Sequence, residues 1–291
     1  MKPAPFVYHD PTSIAEVAAL LGRHDNARML AGGQSLMPMM NFRLVAPDHL
    51  IDLNGVAGLA GIGRRGGAVT IGAMTRQREL EFSPDLAAAM PILREALRHV
   101  GHRQTRNRGT IGGSLCHLDP SAELVNLVAL HDGALEIASV RGTRAAGLAT
   151  FAAGIMTHSM APDELLTAVT LTPWPRPHGY CFMETARRRG DFAIAAVSVL
   201  LTLDAAGAIG RAALAVSGLS GLPVRLGRVE AMVAGQRPSH ELFRAAAAAA
   251  ATLEAMEDPY ASAAYRRHLA RILTYRALEI AVGRAREETP G

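Results

Sequence analysis

The chain has 291 residues, 30 Lys+Arg against 26 Asp+Glu for a net charge of +4, and 49% hydrophobic but only 4% aromatic residues. That is enough apolar material for two or three compact units and excludes disorder as the dominant state. A single lysine, Lys2, scattered arginines and few aromatics argue against a nucleic-acid interface, and two cysteines, Cys116 and Cys181, are too few for a disulfide framework, an all-thiolate zinc site or an iron–sulfur cluster.

Along residues 1–55, short strand-like runs at Phe6–Tyr8, Met29–Ala31 and His49–Leu53 surround one helix. Ser13-Ile14-Ala15-Glu16 is a capping box, Val17, Leu20 and Leu21 form the apolar face, and Gly22 ends the helix. Strand, helix, strand predicts a βαβ unit with a parallel sheet. Residues 56–175 are richer in glycine. Ala68–Ile71, Ala134–Ser139 and Leu165–Leu171 read as strands there, and Thr75–Glu81, Pro91–Val100 and Ser121–Leu130 as helices. Pro173, Pro175 and Pro177 interrupt both periodicities and mark a domain boundary.

Residues 176–291 follow a different pattern. Tyr180–Ala186, Ala193–Leu203 and Ala212–Ser217 are successive strands, with Asp204-Ala205-Ala206-Gly207 as a hairpin turn. Helices are expected at Val224–Ala234, His240–Met256 and Ser262–Val282; in the last, Leu269, Leu273, Ala277 and Ile280 face inward and Arg266, Arg267 and Arg271 outward. The run Phe192–Leu203, bracketed by Asp191 and Asp204, is shorter than the roughly 20 residues a bilayer requires. With prolines where a signal segment would be apolar, a cytoplasmic protein that does not span a membrane is expected.

Two glycine-centred loops carry the chemistry. The first is Leu30-Ala31-Gly32-Gly33-Gln34-Ser35-Leu36 and the second Arg108-Gly109-Thr110-Ile111-Gly112-Gly113-Ser114. Paired glycines let peptide N–H groups converge on an anion, and Ser35, Thr110 and Ser114 can add hydroxyls. Two such loops suit a pyrophosphate gripped from both sides, although ordinary turns have the same composition. Neither loop is a P-loop or the GxGxxG of a dinucleotide fold. The residues themselves therefore reach a phosphate-containing cofactor and no further.

The wording of the loops reaches further. Ala31-Gly32-Gly33-Gln34-Ser35, continued by Leu36 to Leu44, resembles the first FAD signature of the molybdenum hydroxylase flavoproteins, and Arg106 to Pro120 resembles the second. Arg187-Arg188-Arg189-Gly190-Asp191-Phe192-Ala193 and Tyr265-Arg266-Arg267-His268-Leu269-Ala270 also fit, so the resemblance spans essentially the whole chain. It is strongest to the medium subunits of aerobic carbon monoxide dehydrogenase and its relatives.

That resemblance implies an α+β protein. Its fold would be PCMH-type, or vanillyl-alcohol-oxidase-like, with FAD-binding subdomains at 1–55 and 56–175. A carbon monoxide dehydrogenase flavoprotein-like C-terminal domain at 176–291 would carry a three-stranded antiparallel sheet and helices. It implies non-covalent FAD held by Leu30, Ala31, Gly32, Gly33, Gln34, Ser35 and Leu36 on one side. Gly109, Thr110, Ile111, Gly112, Gly113 and Ser114 would lie on the other, with Thr110, Gly112, Gly113 and Ser114 donating to the pyrophosphate. Glu123 matches an acid held against the ribitol hydroxyls, whereas Asp119 equally suits helix-dipole compensation. Leu165, core by default, matches a strand whose backbone meets the flavin ring. Phe192 matches an aromatic beside that ring which is tyrosine in some relatives, and Met183-Glu184 stands where some carry a lysine. His102, Cys116 and His117 are the positions to consider for covalent flavin attachment, but loop hydrogen bonding and burial explain them better.

In function, the resemblance implies an electron-transfer subunit without catalytic acid, base or metal ligand of its own. A large molybdopterin subunit would oxidise carbon monoxide, an aldehyde, a purine or an N-heterocycle such as nicotine. A small subunit with two [2Fe–2S] clusters would pass electrons to the FAD, and a quinone, NAD or oxygen would accept them, in a dimer of heterotrimers. The alternative is a self-sufficient FAD-dependent oxidase; its third region, about 115 residues, is short for a substrate-enclosing cap. A non-redox nucleotide-binding module is a third reading.

Overall fold

The structure, a computed structural model, describes residues 1–288. The chain mixes helix and sheet and forms two compact units. The first comprises Met1–Leu80, His102–His117 and Gly133–Thr172; the second comprises Glu81–Gly101, Leu118–Asp132 and the described chain from Pro173 onward.

The first unit opens with the expected βαβ arrangement. Strands Val7–His9, Ala27–Leu30 and His49–Asp52 form a parallel sheet with His49–Asp52 in the centre. Helix Ile14–Arg23 starts where the Ser13 hydroxyl accepts from the Glu16 peptide at 3.3 Å. The Glu16 carboxylate reaches back to the Thr12 peptide at 2.7 Å, one residue before the usual capping-box partner. Val17, Ala18 and Leu21 then pack on Ile51 and Leu53, closing one face of the sheet.

A second sheet in this unit has five antiparallel strands in the order Ile62–Arg65, Ala68–Gly72, Leu165–Leu171, Ala134–Ser139, Gly142–Gly147. The three inner strands are the ones read from the sequence, the first running one residue further, to Gly72. The outer two are additions: Ile62–Arg65 and Gly142–Gly147 are almost wholly exposed, so they carry no apolar alternation to read.

The second unit contains a four-stranded antiparallel sheet, Gly179–Thr185, Ala195–Leu203, Ile209–Ser217 and Val224–Arg225. This corrects the three-stranded expectation, in which Val224 began a helix. Instead Val224 and Arg225 pair with Val216 and Ala215, and the helix starts at Gly227. The Arg225 guanidinium explains the difference: it binds Glu230 at 2.6 Å and the Ala129 and Leu130 carbonyls at 3.2 and 2.9 Å, which holds the segment extended. Between the second and third strands the expected turn forms around Asp204, whose carboxylate accepts from the Ala206 and Ala208 peptides, each at 2.9 Å.

Helices His240–Ala250 and Ala263–Glu288 cover one face of this sheet, where Phe243, Ala246, Leu273 and Ala277 meet Val197, Val199, Leu214 and Val216. The other side packs against helices Pro91–Leu97 and Glu123–Leu130. The long helix departs from its expected faces in two places. Ile280 is 38% exposed, and Arg266 is only 3% exposed because its guanidinium donates to the Ile194 and Gly218 carbonyls at 2.7 and 2.6 Å and pairs with Asp258. Carbonyls left over by the sheet thus draw an arginine inward. No helix among the described residues is long and apolar enough to cross a membrane.

Candidate functional site

The two glycine loops meet in the first unit. The first leaves the C-terminal end of strand Ala27–Leu30; the second joins helices Arg103–Arg108 and Ile111–His117. A Cβ placed on Gly32 would lie 2.3 Å from the Arg108 carbonyl oxygen and 2.8 Å from the Gly109 Cα. Backbone therefore touches backbone, 76 residues apart in sequence, and only glycine permits it. Gly33 has φ +72°, turning the chain into helix Leu36–Asn41.

The two loops differ in what they can offer. Among the described residues no protein acceptor takes the peptide N–H groups of Gly32, Gly33, Gln34 or Ser35, although Gly32 is buried and Gly33 and Ser35 half-buried. Gln34 is exposed, so this is a partly buried row of donors without a protein acceptor, of a kind that suits an anionic or carbonyl-bearing ligand. In the second loop the Gly112 peptide donates to the Ala73 carbonyl at 2.8 Å, Gly113 to the Thr110 hydroxyl at 3.0 Å and Ser114 to the Thr110 carbonyl at 3.2 Å. The expected donation from these three peptides to a ligand is thus already engaged within the protein. Gly112 instead allows close packing, since a Cβ there would sit 2.6 Å from the Ala73 Cβ. The Ser114 hydroxyl and the Thr110 N–H, which has no acceptor among the described residues, are what this loop has to present. Ile111 is buried behind it and Leu30 and Leu36 flank the first loop, half-buried.

A polar network not legible in the sequence ties the loops together. The Arg76 guanidinium donates to the Arg108 carbonyl and to the Asn54 side-chain oxygen, and the Asn54 amide donates to the Ala31 carbonyl at 3.2 Å. Asp52 accepts from the Asn54 peptide at 2.8 Å and from the Tyr8 hydroxyl at 2.6 Å. Burial alone would raise the Asp52 carboxyl, but the Tyr8 and Asn54 hydrogen bonds outweigh it and hold the group below the usual carboxylate range. Arg76 is pushed below the ordinary arginine value by burial and then by Arg108, yet stays a cation. Tyr8, Asp52, Asn54 and Arg76 belong to no motif, and only their contacts identify them.

Leu165 lies in the core of the same unit, fully buried with Val17, Leu21 and Met74, so its side chain is structural. Asp119, Glu123 and Phe192 belong to the second unit. Asp119 accepts from the Ser121 peptide at 2.8 Å and so shapes the turn before helix Glu123–Leu130. Glu123, first in that helix, is 9% exposed. The Ser121 hydroxyl donates to the Ala193 carbonyl at 2.7 Å and Arg266 holds Ile194, so the segment after Phe192 is fixed against this helix start. Phe192 itself is 69% exposed, a large apolar ring presented on a secured segment.

The thiols are inert by environment. Burial pushes Cys116 up to about 12, and burial followed by Glu95 does the same for Cys181. Glu184 pairs with His99 at 3.3 Å.

Residues 4–175 match the family described as the FAD binding domain in molybdopterin dehydrogenase, and residues 180–281 match the CO dehydrogenase flavoprotein C-terminal domain. The chain is 37% identical over 288 residues to the 6-hydroxypseudooxynicotine dehydrogenase complex subunit alpha of Paenarthrobacter nicotinovorans, covering 98% of this chain and 97% of that one. It is also 37% identical over 290 residues to the carbon monoxide dehydrogenase medium chain of Afipia carboxidovorans, covering 98% and 100%. Among solved structures, the reconstituted CO dehydrogenase from Oligotropha carboxidovorans superposes with a TM-score of 0.95 at 35% identity, covering 98% of this chain and 100% of that one.

Proposed function

The chain belongs to the molybdenum hydroxylase family of FAD-binding medium subunits, and on that premise we propose that it is the electron-transfer subunit of a heterotrimeric hydroxylase. It is an FAD-dependent oxidoreductase subunit. The observation that carries the cofactor assignment to particular atoms is the row of unaccepted peptide donors, Gly32 to Ser35, set against Arg108 and Gly109.

In this reading Gly32, Gly33, Gln34 and Ser35 donate to the pyrophosphate, with Thr110 and Ser114 adding donors from the second loop. Ala31, Leu30, Leu36, Gly109, Ile111, Gly112 and Gly113 give the loops their shape. Arg76 and Asn54 hold the loops at fixed separation, so the donor row is preorganised and little ordering is left for binding. Glu123 accepts from the ribitol hydroxyls, Asp119 shapes the turn that presents it, the Leu165 backbone meets the flavin ring, and Phe192 packs beside it. When bound, FAD supplies the redox chemistry, taking up electrons and releasing them to an acceptor. The protein contributes binding and orientation, with no general acid or base.

The fold is read as PCMH-type with subdomains 1–55 and 56–175 and a C-terminal domain 176–291. The partners are a large molybdopterin subunit, which oxidises the substrate, and a small subunit with two [2Fe–2S] clusters, in a cytoplasmic dimer of heterotrimers. Carbon monoxide, aldehydes, purines and N-heterocycles are the substrate classes to test, and quinone, NAD or oxygen the acceptors.

The test is reduction of the flavin with and without partners. The isolated FAD-loaded chain should be bleached by dithionite and by no carbon substrate, and adding the two partner subunits should restore substrate-driven bleaching. Bleaching of the isolated chain by an organic substrate would overturn this reading in favour of a self-sufficient oxidase.

A further inference from the structure

Three histidines from three different elements converge on one face of the first sheet. His9 ends strand Val7–His9, His24 caps the C-terminus of helix Ile14–Arg23, and His49 begins the central strand His49–Asp52. Parallel pairing explains the meeting. His9 is in register with Ile51, and His49 and Ile51 share one face of their strand, so His9 and His49 project to the same face. That face is the one the helix covers through Val17 and Leu21, which brings the helix end, and His24 with it, to the same place.

His9 Nε2 and His49 Nδ1 are 3.0 Å apart, the His24 and His49 rings stack at 3.9 Å between centroids, and His9 and His24 centroids are 5.1 Å apart. One nitrogen from each ring lies within 4.8 Å of the other two. A metal bound tetrahedrally at ~2.0–2.1 Å sets its ligand nitrogens roughly 3.3–3.4 Å apart, so the stacked His24 and His49 rings would turn toward each other to share an ion. All three rings are half-buried, so they are held by packing yet remain open to solvent.

We infer that His9, His24 and His49 form a binding site for a divalent transition metal of the zinc, nickel or copper class, with a fourth position left to water. Imidazole is the ligand type these ions favour, and three of them with an open position is a familiar zinc arrangement. The site is separate from the flavin loops. The histidines gather where strand Ala27–Leu30 begins, whereas Gly32 and Gly33 follow its end, about four residues or ~13 Å of strand away. The ion would tie the helix end to two strands, so its role is to stabilise the βαβ unit.

The experiment titrates the full FAD-loaded chain with zinc chloride against a chromophoric chelator, alongside copper(II) electron paramagnetic resonance. One zinc per chain bound at micromolar affinity or tighter, imidazole nitrogen hyperfine structure in the copper spectrum, and a zinc-dependent rise in Tm are expected. His24→Gln and His49→Gln, checked for fold by circular dichroism, should each weaken zinc by at least the ~10–100-fold that even an outer-shell change costs. His268→Gln, an exposed control in the second unit, should not. Zinc affinity unchanged in the His9→Gln/His24→Gln/His49→Gln variant would overturn the site. So would a wild-type chain that takes up no zinc and whose histidine resonances respond to pH alone, marking a stack that shares a proton.

Discussion

Gly32→Ala is the smallest change that probes the junction of the two loops. The added Cβ would stand 2.3 Å from the Arg108 oxygen, 2.8 Å from the Gly109 Cα and 2.9 Å from the Arg108 carbonyl carbon. Comfortable contacts between such atoms lie near 3.5 Å, so the loops must part by roughly 1 Å. They cannot slip freely, because the Arg108 carbonyl is held by Arg76 and the Ala31 carbonyl by Asn54. Overpacking of this kind costs about 1–3 kcal/mol. Falling on the geometry that binds the cofactor, that cost raises the Kd for FAD by about 5- to 150-fold. The assay is equilibrium titration of the apoprotein with FAD, followed by flavin fluorescence, with thermal denaturation in parallel. Gly22→Ala is the control: nothing lies within 4 Å of its Cβ, and it sits in a helix where alanine is preferred. Wild-type FAD affinity and Tm in Gly32→Ala would refute the claim that close loop contact builds the site.

Arg76→Ala should weaken FAD binding while leaving the second unit's stability unaltered; unchanged affinity would show the clamp to be dispensable. Arg266→Met should lower stability by about 3 kcal/mol or more, because two buried carbonyls and Asp258 lose their partner, and a denaturant midpoint equal to wild type would contradict this. Glu164 is pulled down to about 2, chiefly by two Arg144 hydrogen bonds of 2.7 Å each. A carboxyl depressed on folding adds stability above its unfolded value near 4.5 and loses it as pH falls toward 2. The Tm difference between wild type and Arg144→Ala should therefore shrink across that window, and a difference growing toward low pH would be wrong in sign. The free-energy difference behind it should stay within about 1 kcal/mol, because the Arg144 side chain is 43% exposed. Acid precipitation should release all flavin; fluorescence left on the denatured polypeptide would mark covalent attachment, with His102, Cys116 and His117 the positions to examine.

What the sequence made legible was local. Ala134–Ser139 and Leu165–Leu171 are strands over the residues the sequence suggested, and Ser13 caps its helix as the motif implies. The glycine loops could be picked out because their composition is unusual wherever they fold. What escaped depends on distant partners. Arg266 looks like a surface residue until the carbonyls of Ile194 and Gly218, 72 and 48 residues away, claim it. Val224 and Arg225 look helical until Ala215 and Val216 pair with them. Asn54 and Arg76 bridge Ala31 to Arg108, and no spacing rule connects those four positions. The division of labour between the loops is likewise tertiary, because the second spends its peptide donors on Ala73 and Thr110.

The most direct measurement is a titration of the apoprotein with FAD, read as stoichiometry and compared between wild type and Gly33→Val. Gly33 has φ +72° beside the Met37 and Leu30 side chains, so a β-branched residue there must disturb the donor row. The wild-type chain should bind one FAD, released intact by acid, and the variant should fold but bind little or none. A wild-type chain that takes up no FAD, or a Gly33→Val chain that binds it fully, would contradict the account at its centre.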